Sequence, residues 1–269
     1  MIKVVNKNKR AFGTQEWASK TANFINGCGH DCKYCYAKSI AVRFKRKTPD
    51  SWRTEEVNHI KLKAHFRKNP GYIMFPSSHD ISPENLNYSL QFMDHLLVSG
   101  NRILVVTKPH LSVIEAIVNR FNAKKDSILF RFTIGSSNSE TLKFWEPNAP
   151  SFEERLESLR FAYYEGFKTS ISCEPALDTN TAELVEILLP FVTDAIWIGL
   201  PNRLKVSLKL NGADDPETLE RAGDLIKEQS EDWVMELYDK YRDNPKIKWK
   251  EGIKKIVGIE RPTMSGLDI

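Results

Sequence analysis

Apolar and polar positions alternate in blocks along the middle of this chain. Short apolar runs at 72–75, 103–106, 128–134, 169–173 and 195–199 are bounded by polar or glycine-containing breaks and read as buried strands. Between them, apolar residues recur near the 3.6-residue helical period. Leu86, Leu90, Met93, Leu96 and Leu97 follow Pro83; Val113, Ile114, Ile117 and Phe121 follow the second run. Ser151 caps a helix through Leu156, Leu159 and Ala162 that Gly166 ends, and 179–192 predicts another. The first 70 residues are less regular. They predict a strand at 2–5, a loop to 21, a strand at 23–26 and a helix at 37–44. A helix capped by Thr54 then runs through Val57, Ile60, Ala64 and Phe66 and stops at Asn69-Pro70-Gly71.

Strands alternating with helices of this length predict βαβ units and a parallel sheet. Counting 23–26 gives six strands, an α/β fold. The tail from about 206 changes character. Asp215-Pro216-Glu217 is a helix start, and Leu219, Leu225, Ile226, Trp233, Leu237 and Tyr241 continue it, followed by 247–257. The expected division is an extension at 1–21, a barrel at 22–205 and a helical cap at 206–269 that packs on the barrel, because ~60 residues bury little core alone.

Side-chain alternation assigns faces. In the run at 128–134, Ile128, Phe130, Phe132 and Ile134 form a row that packs on helices, and Leu129, Arg131 and Thr133 face the interior. In the next run Ser170, Ser172 and Glu174 face inward. Arg131 and Glu174 are therefore expected to line a cavity as a pair, since a lone buried charge is costly. The same pattern makes Cys173 a small buried hydrophobe.

Bulk properties narrow the class. At 269 residues the chain is within reach of a single α/β barrel, which takes ~250. No apolar run approaches the ~18 residues of a membrane span, and the N-terminus lacks a secretory apolar core, so a cytoplasmic, non-membrane protein is expected. The net charge is +4 and the pI about 8.7. Between Lys38 and Lys68 stand ten Lys or Arg and three acids, and a second basic run holds Lys246, Lys248, Lys250, Lys254 and Lys255. Each admits a nucleic-acid partner or a solvated helical face.

The chemistry concentrates in Cys28-Gly-His-Asp-Cys32-Lys-Tyr-Cys35-Tyr-Ala. Three of the four cysteines share this C-x3-C-x2-C stretch. Three thiolates so close suit an iron–sulfur cluster with one iron left open to a small molecule. Structural zinc, with His30 or Cys173 as fourth ligand, is the alternative, although zinc sites usually show two separated cysteine pairs. Tyr34 and Tyr36 bracket Cys35 with apolar rings and hydroxyls.

The motif resembles that of the radical SAM superfamily, and the string GCGHDCKYCYA resembles the branch containing spore photoproduct lyase. The resemblance spans about 20–205. It implies a partial (β/α)6 TIM-like barrel with the tail as a C-terminal helical extension. It also implies a [4Fe–4S] cluster on Cys28, Cys32 and Cys35 and S-adenosyl-L-methionine (SAM) as cofactor. Reductive cleavage would give a 5′-deoxyadenosyl radical, with flavodoxin or ferredoxin as reductant. By position, Ser78 and Asp80 would hold the methionyl end of SAM, Lys108 its carboxylate, Thr133 a further contact, and Tyr36 the ribose or adenine. His79 is a candidate proton shuttle or substrate ligand. The lyases use a cysteine in the loop after their second strand as hydrogen donor; Ser77-Ser78-His79 has none, so dimer repair is not implied. Trp145 and Asn202 are candidate substrate contacts, and Trp197 is expected in the core. A nucleic acid or nucleotide, a peptide or small metabolite, and a non-catalytic metal-stabilised binding module all stay open as functions.

Overall fold

The structure, a computed structural model, describes residues 10–266; the strand expected at 2–5 lies outside them. The described residues begin with a 3-10 turn, Gly13–Glu16, and the short strands β1 (Lys20–Thr21) and β2 (Ile25–Asn26). Helix α1 (Tyr36–Arg43), β3 (Glu56–Val57) and α2 (His59–Leu62) follow. Four βα units come next: β4 (Tyr72–Phe75) with α3 (Leu86–Val98), and β5 (Arg102–Thr107) with α4 (Leu111–Phe121). In the third, β6 (Ile128–Thr133) leads to α5 (Ser139–Trp145) and α6 (Phe152–Tyr164); in the fourth, β7 (Lys168–Cys173) leads to α7 (Thr181–Leu188). The chain ends with β8 (Ile196–Ile198), α8 (Leu204–Asn211), α9 (Pro216–Glu228), α10 (Glu231–Tyr241), β9 (Ile247–Trp249) and α11 (Glu251–Val257).

Seven strands form one parallel sheet in the order β1-β4-β5-β6-β7-β8-β9, an open half-barrel. Its convex face carries Ile73, Phe75, Ile103, Val105, Ile128, Phe130, Phe132 and Ile171, which join the helices in the main core. Cys173 belongs to that core and is fully buried. The concave face carries Met74, Leu104 and Leu129 and is filled by Trp17 and Ala18. Trp197 is buried, as its run implied.

Four expectations are corrected. The strand at 23–26 is not the barrel's first. Lys20–Thr21 pairs with β4, and Ile25–Asn26 turns away into a two-stranded antiparallel sheet with Glu56–Val57. The helix expected from Thr54 to Phe66 is therefore that strand, followed by the single turn α2 with Asn58 as its cap. The tail is helical as expected, but it also supplies β9, a seventh strand pairing with β8 at Ile196↔Ile247. In the C-terminal basic run, Lys250 and Lys254 are fully buried on Glu16 instead of lining a surface.

Candidate active site

The cysteine loop leaves β2 through Gly27, at φ +110°. A Cβ there would lie 2.4 Å from the Thr54 carbonyl oxygen and 2.7 Å from that of Trp52, so only glycine fits. The Cys28 amide then donates to the Trp52 carbonyl at 3.0 Å. The loop ends at Cys35, which caps α1: its sulfur accepts from the Lys38 amide at 3.4 Å. Opposing elements hold the span between. The Lys33 amide donates to Trp145 O at 2.9 Å, and Asn148 Nδ2 to Gly29 O at 3.1 Å. From α8, the buried Asn211 donates through Nδ2 to Lys33 O at 2.8 Å and Cys35 O at 3.0 Å, and accepts from Ser39 Oγ at 3.0 Å. Glu55 Oε1 receives the Gly29 amide at 3.1 Å.

All three thiols of the loop open on one cavity of about 600 Å³ at the carboxyl ends of the strands. That is the volume of a site for a drug-sized ligand. Of the site residues expected from the sequence, Cys28, Cys32, Cys35, Tyr34, Tyr36, Ser78, His79, Asp80, Lys108, Thr133 and Glu174 line this cavity, and Arg131 and Trp145 do not. Arg131 does face the interior, but deeper, donating to Ser170 Oγ at 3.0 Å and Asp194 Oδ2 at 3.1 Å between Trp17 and Trp197. The expected Arg131–Glu174 pair does not form. Glu174 lies 3.6 Å from Lys250 Nζ instead, because the tail brings that lysine under the sheet's edge. Trp145 is buried away from the cavity, whereas Asn202 lines it.

The Asp80 carboxylate is taken up by the protein's own donors. His30 Nδ1 lies 3.1 Å away, the Ile81 amide donates at 2.8 Å, the Lys108 amide at 3.1 Å, and the Thr107 hydroxyl also donates to it. Burial would raise its pKa, but His30, Lys108 and Thr107 hold it well below the carboxylate range. Its observed part is to fix the end of β5 and, through His30, the cysteine loop. His79 is clamped edge-on against Phe24 and Phe75, and its Nδ1 donates to Asp80 O at 3.0 Å. That leaves Nε2 the acceptor, buried and with no partner among the described residues. Burial lowers its pKa to about 4, so the ring is neutral at pH 7.

Burial pushes all three thiols above their ordinary pKa; negative neighbours add to the rise at Cys28, and Lys108 opposes it at Cys32 and Cys35. Such thiols become thiolates when a metal supplies positive charge. Among the described residues no three His, Cys, Asp or Glu side chains close on a point for a single metal ion. A cubane cluster does not ask for that, since its thiolates bind separate irons. The fourth zinc ligands proposed from the sequence are committed elsewhere: His30 lies between Asp80 and His110, and Cys173 sits in the core on the other face of the sheet. The donor set therefore fits the cluster. The Lys108 ammonium supplies a positive charge beside Cys32, and the cavity has room for a nucleoside. Burial opposes the Lys108 charge, but Cys32, Tyr34, Glu146 and Asp80 together raise its pKa.

No family model matches the chain. Uncharacterized protein ORF301 of Acidianus two-tailed virus is 25% identical over 59% of this chain and 56% of its own. A spore photoproduct lyase mutant with bound AdoMet and dinucleoside spore photoproduct superposes with TM-score 0.55 at 15% identity, over 92% of this chain and 81% of that one. A second lyase mutant structure, with dinucleoside spore photoproduct, gives 0.54 at 15% identity over 80% of this chain and 65% of that one. Streptococcus suis SuiB bound to S-adenosylmethionine gives 0.52 at 12% identity, over 92% of this chain and 54% of that one. The chain thus spans little more than half of the viral protein and of SuiB. At such identities the likeness is one of fold: this chain has the partial barrel of the radical SAM enzymes spore photoproduct lyase and SuiB, with its cysteine triplet at the carboxyl end of the strands.

Proposed function

We propose that this protein is a radical SAM enzyme. The observation that carries the reading is the gathering of Cys28, Cys32 and Cys35 with Lys108, Thr133 and Glu174 around one cavity of the half-barrel. When bound, a [4Fe–4S] cluster on the three thiolates supplies the electron that cleaves SAM to a 5′-deoxyadenosyl radical. The chain's own residues bind and orient. Lys108 presents an ammonium to the SAM carboxylate. His79 Nε2 accepts from a ligand hydroxyl or amine, which removes the cost of a buried unpaired nitrogen, about 1–3 kcal/mol. Tyr36 and Trp52 give the walls apolar surface that excludes water from a reactive intermediate. Asp80 acts through His30 and the Lys108 backbone. The electron comes from an external donor of the flavodoxin or ferredoxin class.

For the substrate we favour a nucleic acid or nucleotide. The cavity rim combines Arg43 and Arg203 with the exposed Phe12, Tyr36 and Ile40, a pairing of cations with stacking surfaces that suits phosphate and base. Lys38 and Lys47 do not belong to that footprint, because both are buried in pairs with Asp31 and Glu56. Oligonucleotide binding that weakens steeply with salt supports this choice. No oligonucleotide binding at low salt overturns this choice and leaves a peptide or small metabolite as substrate.

The reading is tested by anaerobic reconstitution with iron and sulfide, then dithionite and SAM. Four irons per chain and release of 5′-deoxyadenosine are expected, with both lost in Cys32→Ala. Zinc in place of iron, or a cluster that leaves SAM intact, overturns it.

A further inference from the structure

Glu146 lies in the connection between α5 and α6, more than a hundred residues from the cysteine loop, and is 1% exposed. Its two oxygens have separate tasks. Oε2 receives Arg155 Nη2. Oε1 receives the Tyr34 hydroxyl and faces Lys108 Nζ at 3.8 Å. Arg155 is itself fixed to the sheet, donating through Nη1 to Thr133 O at 3.1 Å and through Nε to Pro150 O at 2.9 Å. A continuous path thus runs from the carboxyl end of β6 through Arg155 and Glu146 to Tyr34, between Cys32 and Cys35, and to Lys108. The same connection grips the loop's backbone, through Trp145 O on the Lys33 amide and Asn148 on Gly29 O.

A carboxylate that only neutralised Arg155 would need no contact with the loop. The geometry points to Glu146 as a positioning residue: it sets the Cys32–Cys35 turn through Tyr34, and it holds Lys108 in place beside Cys32. Arg155 and Lys108 keep its carboxyl ionised against the effect of burial, so both cations face a negative partner. The consequence for the cluster rests on the radical SAM reading; the latch on the loop does not.

Two variants separate these tasks. Tyr34→Phe removes the hydrogen bond and keeps the charges. Glu146→Gln keeps an acceptor for Tyr34 and removes the charge. In the metal-free protein, Tyr34→Phe is expected to speed amide hydrogen exchange in 29–35 about tenfold, the worth of one buried hydrogen bond, with exchange in 102–107 unchanged. In the reconstituted protein, Glu146→Gln is expected to raise the cluster's reduction potential, because a nearby negative charge is gone. It should also weaken SAM binding about tenfold, as Lys108 loses its anchor. A role confined to stability would lower the melting temperature of both variants, speed exchange in 102–107 as much as in 29–35, and leave the potential and SAM binding unmoved, and that result overturns the proposal. If Glu146→Gln does not fold, exchange in Tyr34→Phe decides, and an unchanged rate overturns it. Wild-type protein that takes up no iron defeats the functional reading alone, and the exchange rates still decide the latch.

Discussion

At the residue scale, the site's chemistry comes from side chains whose partners are distant in sequence. His79 is the clearest case, because its burial has a measurable pH signature. The folded-state pKa of about 4 lies below the ordinary histidine value, so between pH 6.5 and 4 the unfolded chain binds the proton that the folded chain refuses. The stability this group contributes is fully present above pH 6.5 and is lost as pH falls towards 4. The loss amounts to about 3 kcal/mol, at about 1.4 kcal/mol for each tenfold difference in proton affinity between the two states. Urea unfolding of metal-free protein across this window should show a flatter pH slope in His79→Gln than in wild type. An identical slope would mean that His79 is hydrated and titrates normally. The residue was visible in the sequence as a loop histidine; its clamp between Phe24 and Phe75 was not, because it needs β4 laid against the segment before β2. Asn211 carried no local signal at all. It is one polar residue at the end of a helix, and only the approach of α8 to α1 brings it onto the carbonyls of the cysteine loop.

At the element scale, the βα units were legible because parallel strands covered on both faces are nearly continuous in apolar residues. The elements missed were the short ones. Two-residue strands such as Glu56–Val57 leave no alternation to read, and Ser139–Trp145 has only seven residues in a polar stretch. Composition also misreads charges that fold inward. The 3-10 turn Gly13–Glu16 shows what that conceals. Glu16 binds Lys250 and Lys254, all three nearly or wholly inaccessible, while Lys250 Nζ donates to Gly13 O at 2.7 Å and Glu251 accepts the Gly13 amide at 2.7 Å. This clasp ties the turn Gly13–Glu16 to α11 and the residue before it, and sets Gly13, Thr14 and Gln15 along the cavity wall. Glu16→Gln leaves the two buried ammonium groups with Glu174, 3.6 Å from Lys250, as the remaining carboxylate paired with them among the described residues. Breaking one side of such a buried pair costs about 3–5 kcal/mol. Equilibrium urea unfolding should show that loss; a change below about 1 kcal/mol would show that the lysines find other partners.

At the scale of the whole molecule, the tail supplies the last strand of the open sheet. β8 is three residues long and has β9 as its outer neighbour, with the Ile196 amide donating to Lys246 O at 2.8 Å and the Lys250 amide to Ile198 O at 2.9 Å. Trp249 and Ile253 continue the core that β7 and α7 begin, and Gln229 donates to the carbonyls of Ala176 and Asp178 in the loop after β7. A chain that stops at residue 211 keeps six strands of the main sheet, the cysteine loop and α8. It loses the partner of β8 and both lysines that neutralise Glu16, and leaves apolar surface bare on α7 and β8. Such a fragment is expected to lack a cooperative thermal transition and to bind a hydrophobic dye, behaviour of a collapsed state without fixed packing. Calorimetry of the fragment beside the full chain tests this. A cooperative transition within a few degrees of wild type would make the tail an appendage on a self-sufficient barrel, and would place the stability of the site in β1 to β8 alone.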